Sequence, residues 1–234
     1  MGASIQLPGR EGPLIVPSPG WAGSYPPPRA RRVYAAAHVA AVRGAAGSAG
    51  SAGSAGSADS AGELVDWEAT LRFREHLWAH GFGVAEAMDT AQRGMGLSWD
   101  LARELIARSA SVARGALACG AGTDQLADGE SYPIPRIIDA FVSQMAFIQS
   151  AKADVILMAS RALAANARGP GDYLEVYGSL LRVAERPVIL HWLGEAFDPA
   201  LRGYWGGTDF DTAADTVLEL VDRYGDKVDG VKLS

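Results

Sequence analysis

Lys232 is the residue in this sequence best placed for covalent chemistry. It lies in Val228-Asp229-Gly230-Val231-Lys232-Leu233, a stretch of strand character. A lysine within an apolar strand of a parallel sheet is costly to bury charged. Desolvation lowers its pKa and leaves a neutral amine, the form that attacks a carbonyl carbon. Period-two alternation puts Val228, Gly230 and Lys232 on one face, with Gly230 leaving room beside the amine. The same spacing also fits a lysine whose head reaches water near a chain end, and both readings stand at this point. His191 and Glu195 follow the apolar run Pro187-Val188-Ile189-Leu190 and offer an imidazole and a carboxylate for acid–base work, or else two loop residues without contact. His76 and His80 are four apart on a helical stretch, a spacing that can share a metal. No third ligand accompanies them, and a solvated helix face accounts for the pair. Cys119 is the one cysteine, which excludes an intramolecular disulfide or a cysteine-based zinc cluster and reads as a small core residue.

The composition narrows the setting. The chain has 234 residues, a net charge of −6, 48% hydrophobic and 21% charged residues, ordinary values for a globular protein. No apolar run approaches the ~18 residues of a membrane span, and the N-terminus lacks a basic stretch followed by an apolar one. Gln6 stands where a myristoylation signal has Ser or Thr. Arg29, Arg31 and Arg32 form the one tight basic cluster, which reads as a solvated tail in an acidic protein. These features point to a cytoplasmic protein that acts on neither membrane nor nucleic acid.

The elements that must position Lys232 come next. Residues 1–32, rich in Pro, Gly and Arg, read as an N-terminal extension, and 43–62 as a flexible Gly/Ser/Ala insertion. The remainder of 33–234 alternates. Short apolar runs at 33–39, 84–88, 116–119, 155–158, 187–192 and 228–234 are expected strands. Between them lie helical patterns: Trp67, Leu71 and Trp78 on one face, a second helix capped by Ser98, a third introduced by Pro133 and Pro135, a fourth with Tyr173 and Tyr177, and a fifth capped by Thr208. Strand–helix alternation means parallel βαβ units with right-handed crossovers. The Gly-x-Gly-x-x-Gly loop of a dinucleotide fold is missing; Gly120-Ala121-Gly122 has Gln125 in the last position. A full barrel takes roughly 250 residues, so the folded part accommodates about six of eight units. The expected fold is therefore α/β, a (β/α)8 TIM barrel truncated after strand six.

Function in such folds sits at the C-terminal ends of the strands. The residues expected there are Asp89, Thr90 and Arg93 after the second strand, Thr123 and Asp124 after the third, Ser160 and Arg161 after the fourth, and His191, Trp192 and Glu195 at the fifth.

Three blocks carry a family resemblance: Glu86 to Ser98 (EAMDTAQRGMGLS), Ile156 to Ala164 (ILMASRALA) and Pro187 to Glu195 (PVILHWLGE). They resemble an uncharacterised bacterial branch of the dihydrodipicolinate synthase and N-acetylneuraminate lyase family, class I aldolases on a (β/α)8 barrel. The resemblance implies a Schiff base between a 2-oxo acid and a strand-six lysine in a Gly-Ile-Lys-like segment, which Gly230-Val231-Lys232 matches. The family's Gly-Thr-Thr-Gly-Glu motif falls on Met88-Asp89-Thr90-Ala91-Gln92 and keeps Thr90 alone. Its proton-relay tyrosine pair falls on Ala162 and Leu163.

The implied activity is a carbon–carbon lyase or aldolase acting on a small carbonyl substrate. Lys232 would be the nucleophile, with Thr90, His191 and Glu195 moving protons. Asp89, Arg93, Thr123, Ser160, Arg161 and Trp192 would surround the substrate, an arginine holding its carboxylate. No cofactor and no metal ligand set are assigned. Two alternatives remain. A metal-dependent barrel enzyme would gather His38, Asp89, His191 and Glu195. An inactive fragment would leave strands one and six as open edges suited to pairing with further copies.

Overall fold

The computed structural model describes residues 3–5, 12, 14–16, 32–42, 65–88, 93 and 96–233. The 43–62 tract and residues Asp89 and Thr90 lie outside them. The chain forms two compact units, Met1–Arg32 and Val33–Ser234. The first, which shows no sustained hydrophobic period in sequence, contains an antiparallel pair of three-residue strands, β1 (Ala3–Ile5) and β2 (Leu14–Val16), in register Ala3 to Val16.

The second unit is a parallel sheet of six strands in strict chain order: β3 (Tyr34–Ala36), β4 (Gly83–Glu86), β5 (Leu117–Ala121), β6 (Asp154–Leu157), β7 (Val188–Trp192) and β8 (Val228–Leu233). The sheet curls as part of a barrel. The connecting helices are α1 (Trp67–Ala79), α2 (Trp99–Val112), α3 (Ile134–Ser150), the short α4 (Arg161–Asn166), α5 (Pro170–Val183) and α6 (Phe210–Tyr224). The expected truncated-barrel fold is the one found.

Local signals explain most boundaries. Ser98 caps α2 by accepting from the Leu101 N–H, and Pro133 and Pro135 open α3, where a missing N–H costs nothing. Helix α6 departs from expectation. Its cap is Asp209, whose carboxylate accepts from the Thr212 N–H; an acceptor without a proton of its own suits that place beside the helix's positive end better than the Thr208 hydroxyl. Helix α4 has no counterpart in the sequence reading. Its single turn and a half is too short to show a period, and its signal is the Ser160 cap on the Leu163 N–H.

Alternation along the strands divides the core in two. Val84, Leu117, Cys119, Val155, Leu157, Val188 and Leu190 face the helices in the larger cluster. Ala85, Met88, Ala118, Ile156 and Met158 form a smaller one, with Tyr34 and Ile189 packed against it. That second cluster marks the inner face of the curl, the side away from the helices.

The packing of α1 revises an expectation. Its buried line is Thr70, Arg74 and Trp78, with Trp67 partly buried against the same core, so the expected face of Trp67, Leu71 and Trp78 holds for the two tryptophans while polar Thr70 and Arg74 fill its centre, and Phe73 is exposed. Arg74 is fully buried. Its Nε and Nη2 donate to the Glu86 carboxylate at 2.9 and 2.8 Å, and its other N–H groups reach the carbonyls of Ala37, His38 and Thr70. All five guanidinium donors are thereby used. Glu86 also accepts from Ser109 Oγ at 2.6 Å and from the Ala87 N–H. A buried pair so completely hydrogen-bonded is tolerated; the same pair with one partner deleted is not. Arg74→Met is expected to lower unfolding stability by about 3–5 kcal/mol. The double variant Arg74→Met with Glu86→Gln is expected to be less destabilised than the single, as denaturant unfolding can measure. Additive losses would show that the two groups do not compensate each other.

Candidate active site

The C-terminal end of the sheet carries two neighbouring features, a lysine–histidine pair and a cavity. The pair arises from the register of the last two strands. Val188 lies opposite Val228, but Ile189 lies opposite Gly230, and the ladder continues with His191 opposite Lys232 and Trp192 opposite Leu233. The extra residue is a β-bulge, in which two residues oppose one. It separates Val228, which packs against the helix-side core, from Gly230 and Lys232, which join the inner face beside Ile189 and His191. The expectation that Val228 shares the lysine's face therefore fails at the bulge, and the expectation for Gly230 holds.

Lys232 Nζ lies 3.3 Å from His191 Nε2. His191 is 1% exposed. Burial first, and the neighbouring Lys232 charge second, bring its pKa down to about 4. The imidazole is therefore neutral near pH 7, and a neutral Nε2 without a proton can accept from the amine. Lys232 itself is half-buried.

The cavity has a volume of about 480 Å³ and opens beyond the ends of β5, β6 and β7. Thr123, Asp124, Ser160, Arg161 and Arg93 all line it, so five of the residues expected at the strand ends do converge. Thr123 Oγ1 and Ser160 Oγ share a 2.6 Å hydrogen bond, both nearly fully buried. Behind them the Ser160 N–H donates to the Tyr204 hydroxyl, which bonds the Tyr177 hydroxyl at 2.9 Å. Burial raises both phenols far above their usual range. Arg161 donates through Nε to Asp198 at 2.7 Å and through Nη1 to Asp128 at 3.1 Å, bridging the loops after β7 and β5.

Arg93 is not the open carboxylate clamp that the sequence suggested. Its Nε and Nη2 hold Asp124 at 2.7 and 3.0 Å, Nη2 also reaches Gln144, and Nη1 reaches the carbonyls of Ala87 and Gly120. Every donor has a protein acceptor, which leaves none for a substrate. Burial alone would raise the Asp124 carboxyl; the Arg93 guanidinium and the Gln144 amide outweigh it and hold the carboxyl below its usual range.

Two further residues stand apart. Trp192 turns to the helix side, 5.5 Å from the Phe210 ring and 6.1 Å from that of Trp205, because alternation puts it opposite to His191. Glu195 sits on an exposed turn, 3.6 Å from Arg202, and no contact joins it to His191. His38 lies beyond the end of β3 and is exposed. Among the described residues no three His, Cys, Asp or Glu gather as a metal would need; Asp89 of the expected set of His38, Asp89, His191 and Glu195 lies outside them. The His76 and His80 rings lie 4.3 Å apart at a 47° tilt on α1, with His80 Nδ1 against the His76 carbonyl. Sequence reasoning missed Tyr204, Tyr177 and Gln144, which belong to loops and helix interiors without a motif. It also gave no role to Asp124, which it had placed at the right strand end.

Parallel strands in chain order, with polar groups at their C-terminal ends, define a barrel of the (β/α)8 type. Solved structures agree on the fold. A crystal structure of dihydrodipicolinate synthase is 16% identical over 86% of this chain and 55% of its own, with a TM-score of 0.55. One of a putative dihydrodipicolinate synthetase from Pseudomonas aeruginosa is 14% identical over 87% and 56%, with a TM-score of 0.57. The chain thus spans about half the length of these structures. No curated protein matches. Residues 12–234 match the family described as "Protein of unknown function (DUF993)", and the chain belongs to that family. Among the described residues no helix is long and apolar enough to cross a membrane.

The His191 shift has a measurable consequence. Its folded pKa lies below the unfolded value of 6.5, so the unfolded state binds more protons between about pH 4 and 6.5. Stability carried by the neutral imidazole is full above that window and is lost as pH falls through it. Between pH 7 and 5 this residue is expected to account for roughly 2 kcal/mol of lost stability. In His191→Gln that share of the pH dependence should vanish. Unfolding curves of the two proteins that fall in parallel would contradict the buried neutral histidine.

Proposed function

We propose that the protein is a class I aldolase-type lyase that binds a small 2-oxo acid or related carbonyl compound as a Schiff base on Lys232. The observation that carries this reading is the inward-facing amine held 3.3 Å from a neutral, buried histidine. The fold shared with dihydrodipicolinate synthase structures supports it, as does the match of Gly230-Val231-Lys232 to the family segment.

In this reading Lys232 gives up a proton to solvent and its amine adds to the substrate carbonyl carbon. The resulting carbinolamine loses water to give an iminium. As the hydroxyl proton on the beta carbon leaves, the bond between the alpha and beta carbons breaks, its electron pair forming an enamine and the beta carbon departing as a carbonyl product. Protonation of the enamine followed by hydrolysis of the imine frees the second product and the amine. A histidine held near pKa 4 is a weak base. His191 is therefore assigned to orienting the amine through Nε2 rather than to carrying protons over the full cycle. Glu195, exposed and paired with Arg202, is left out of the proton path. Thr90, the one hydroxyl retained from the family motif, is kept as the proton relay.

Sodium borohydride reduction in the presence of pyruvate, longer 2-oxo acids or aldehydes tests the reading. The reduced imine is expected to add the mass of the bound compound at Lys232, located by peptide mass spectrometry. Lys232→Arg should leave no adduct, and His191→Asn should trap about tenfold more slowly. A folded protein that yields no adduct with any of these compounds would overturn the Schiff-base assignment.

A further inference from the structure

The Thr123–Ser160 pair contains one hydrogen more than its own bonding uses. Two hydroxyls carry two protons, and one proton lies between the oxygens, which are 2.6 Å apart. Ser160 Oγ also accepts from the Leu163 N–H, which supplies a donor and removes none. Among the described residues neither hydroxyl has a further acceptor. One O–H is thus left over at a buried position on the cavity wall. The next residue, Arg161, uses Nε and one N–H of Nη1, and its Nη2 group has no acceptor among the described residues. The carboxylates nearby are already engaged: Asp124 by Arg93 and Gln144, Asp128 by Arg161, and Asp198 by Arg161 and the Ala200 N–H. What this wall offers a ligand is a hydroxyl donor beside a guanidinium edge, which suits an anionic oxygen.

We infer that Thr123, Ser160 and Arg161 bind a carboxylate of the ligand, a group distinct from the carbonyl that Lys232 would engage. This deepens the lyase reading and rests on it for the carbonyl alone. The spacing agrees. Lys232 Nζ leans to His191 on β7. Leu157 pairs with Leu190, so Met158, the residue just after β6 and part of the cavity wall, is level with His191. One strand spacing, roughly 5 Å, leads from the histidine to Met158, and Ser160 follows two residues later as the cap of α4.

The test uses the full chain and succinate, which has two carboxylates and no carbonyl, in isothermal titration. Wild type is expected to bind it. Thr123→Val alone leaves Ser160 its proton but nothing to orient it and should weaken binding a few-fold. Thr123→Val with Ser160→Ala should weaken it about tenfold or more, and Thr123→Ser should restore it. Thermal unfolding monitors the cap that Ser160 provides to α4. Undiminished binding in the double variant, or none by the folded wild type, overturns the inference. Inorganic phosphate bound in place of succinate with the same variant dependence overturns the carboxylate assignment. The two readings fail separately. Succinate binding that depends on the pair, without any borohydride adduct, sinks the Schiff base and keeps the subsite. Adducts that form equally well with pyruvate and 2-oxoglutarate, without succinate binding, do the reverse.

Discussion

The buried guanidinium of Arg74 is the constraint around which the first half of the sheet is organised. It binds the carboxylate at the end of β4, two carbonyls just past β3 and one carbonyl of its own helix. β3 is three residues long, and a strand that short at a sheet edge gains little from its own ladder. A charged group with five directional donors fixes its end where apolar packing, which has no direction, would not. Arg93 repeats the device one layer higher. It ties Asp124 and Gln144 to the carbonyls of Ala87 and Gly120, so the loop ends that floor the cavity are set by hydrogen bonds before any ligand arrives.

These two arginines also mark where the sequence could and could not be read. The barrel topology was legible because it rests on repetition: apolar runs of strand length, helical stripes between them, and Ser98 or Pro133 at the helix starts. The six strands fall where those runs are, to within a few residues. Arg74 was not legible, because a charged residue on a helix reads as solvated unless its partner is known, and Glu86 lies 12 residues away on a strand. Arg93 was placed correctly at the mouth of the site and misread in role. Proximity to the strand ends follows from sequence order, whereas the acceptors that saturate its donors come from three other segments.

For the site itself, alternation was the reliable guide and adjacency the unreliable one. His191 and Trp192 are consecutive, and one faces inward while the other packs on Phe210 and Trp205. His191 and Glu195 are near in sequence and not joined in space, while His191 and Lys232, 41 residues apart, are in contact. Thr123 and Ser160 show the same lesson: each was expected at its strand end, but their shared hydrogen bond is a property of the parallel neighbours β5 and β6.

The bulge between β7 and β8 decides more than a local kink. Had the ladder run without interruption from the pair Val188–Val228, His191 would stand opposite Val231, and Lys232 opposite Trp192. A one-residue slip reverses the sidedness of a strand. The amine would then meet the aromatic, helix-side layer, and Val231 the interior. One inserted backbone unit therefore acts as the reading frame of the last strand: it selects which of two neighbouring residues, a valine or a lysine, the inside of the sheet receives. The chemical identity of the site is in this sense encoded in a spacing between residues as much as in the residues themselves.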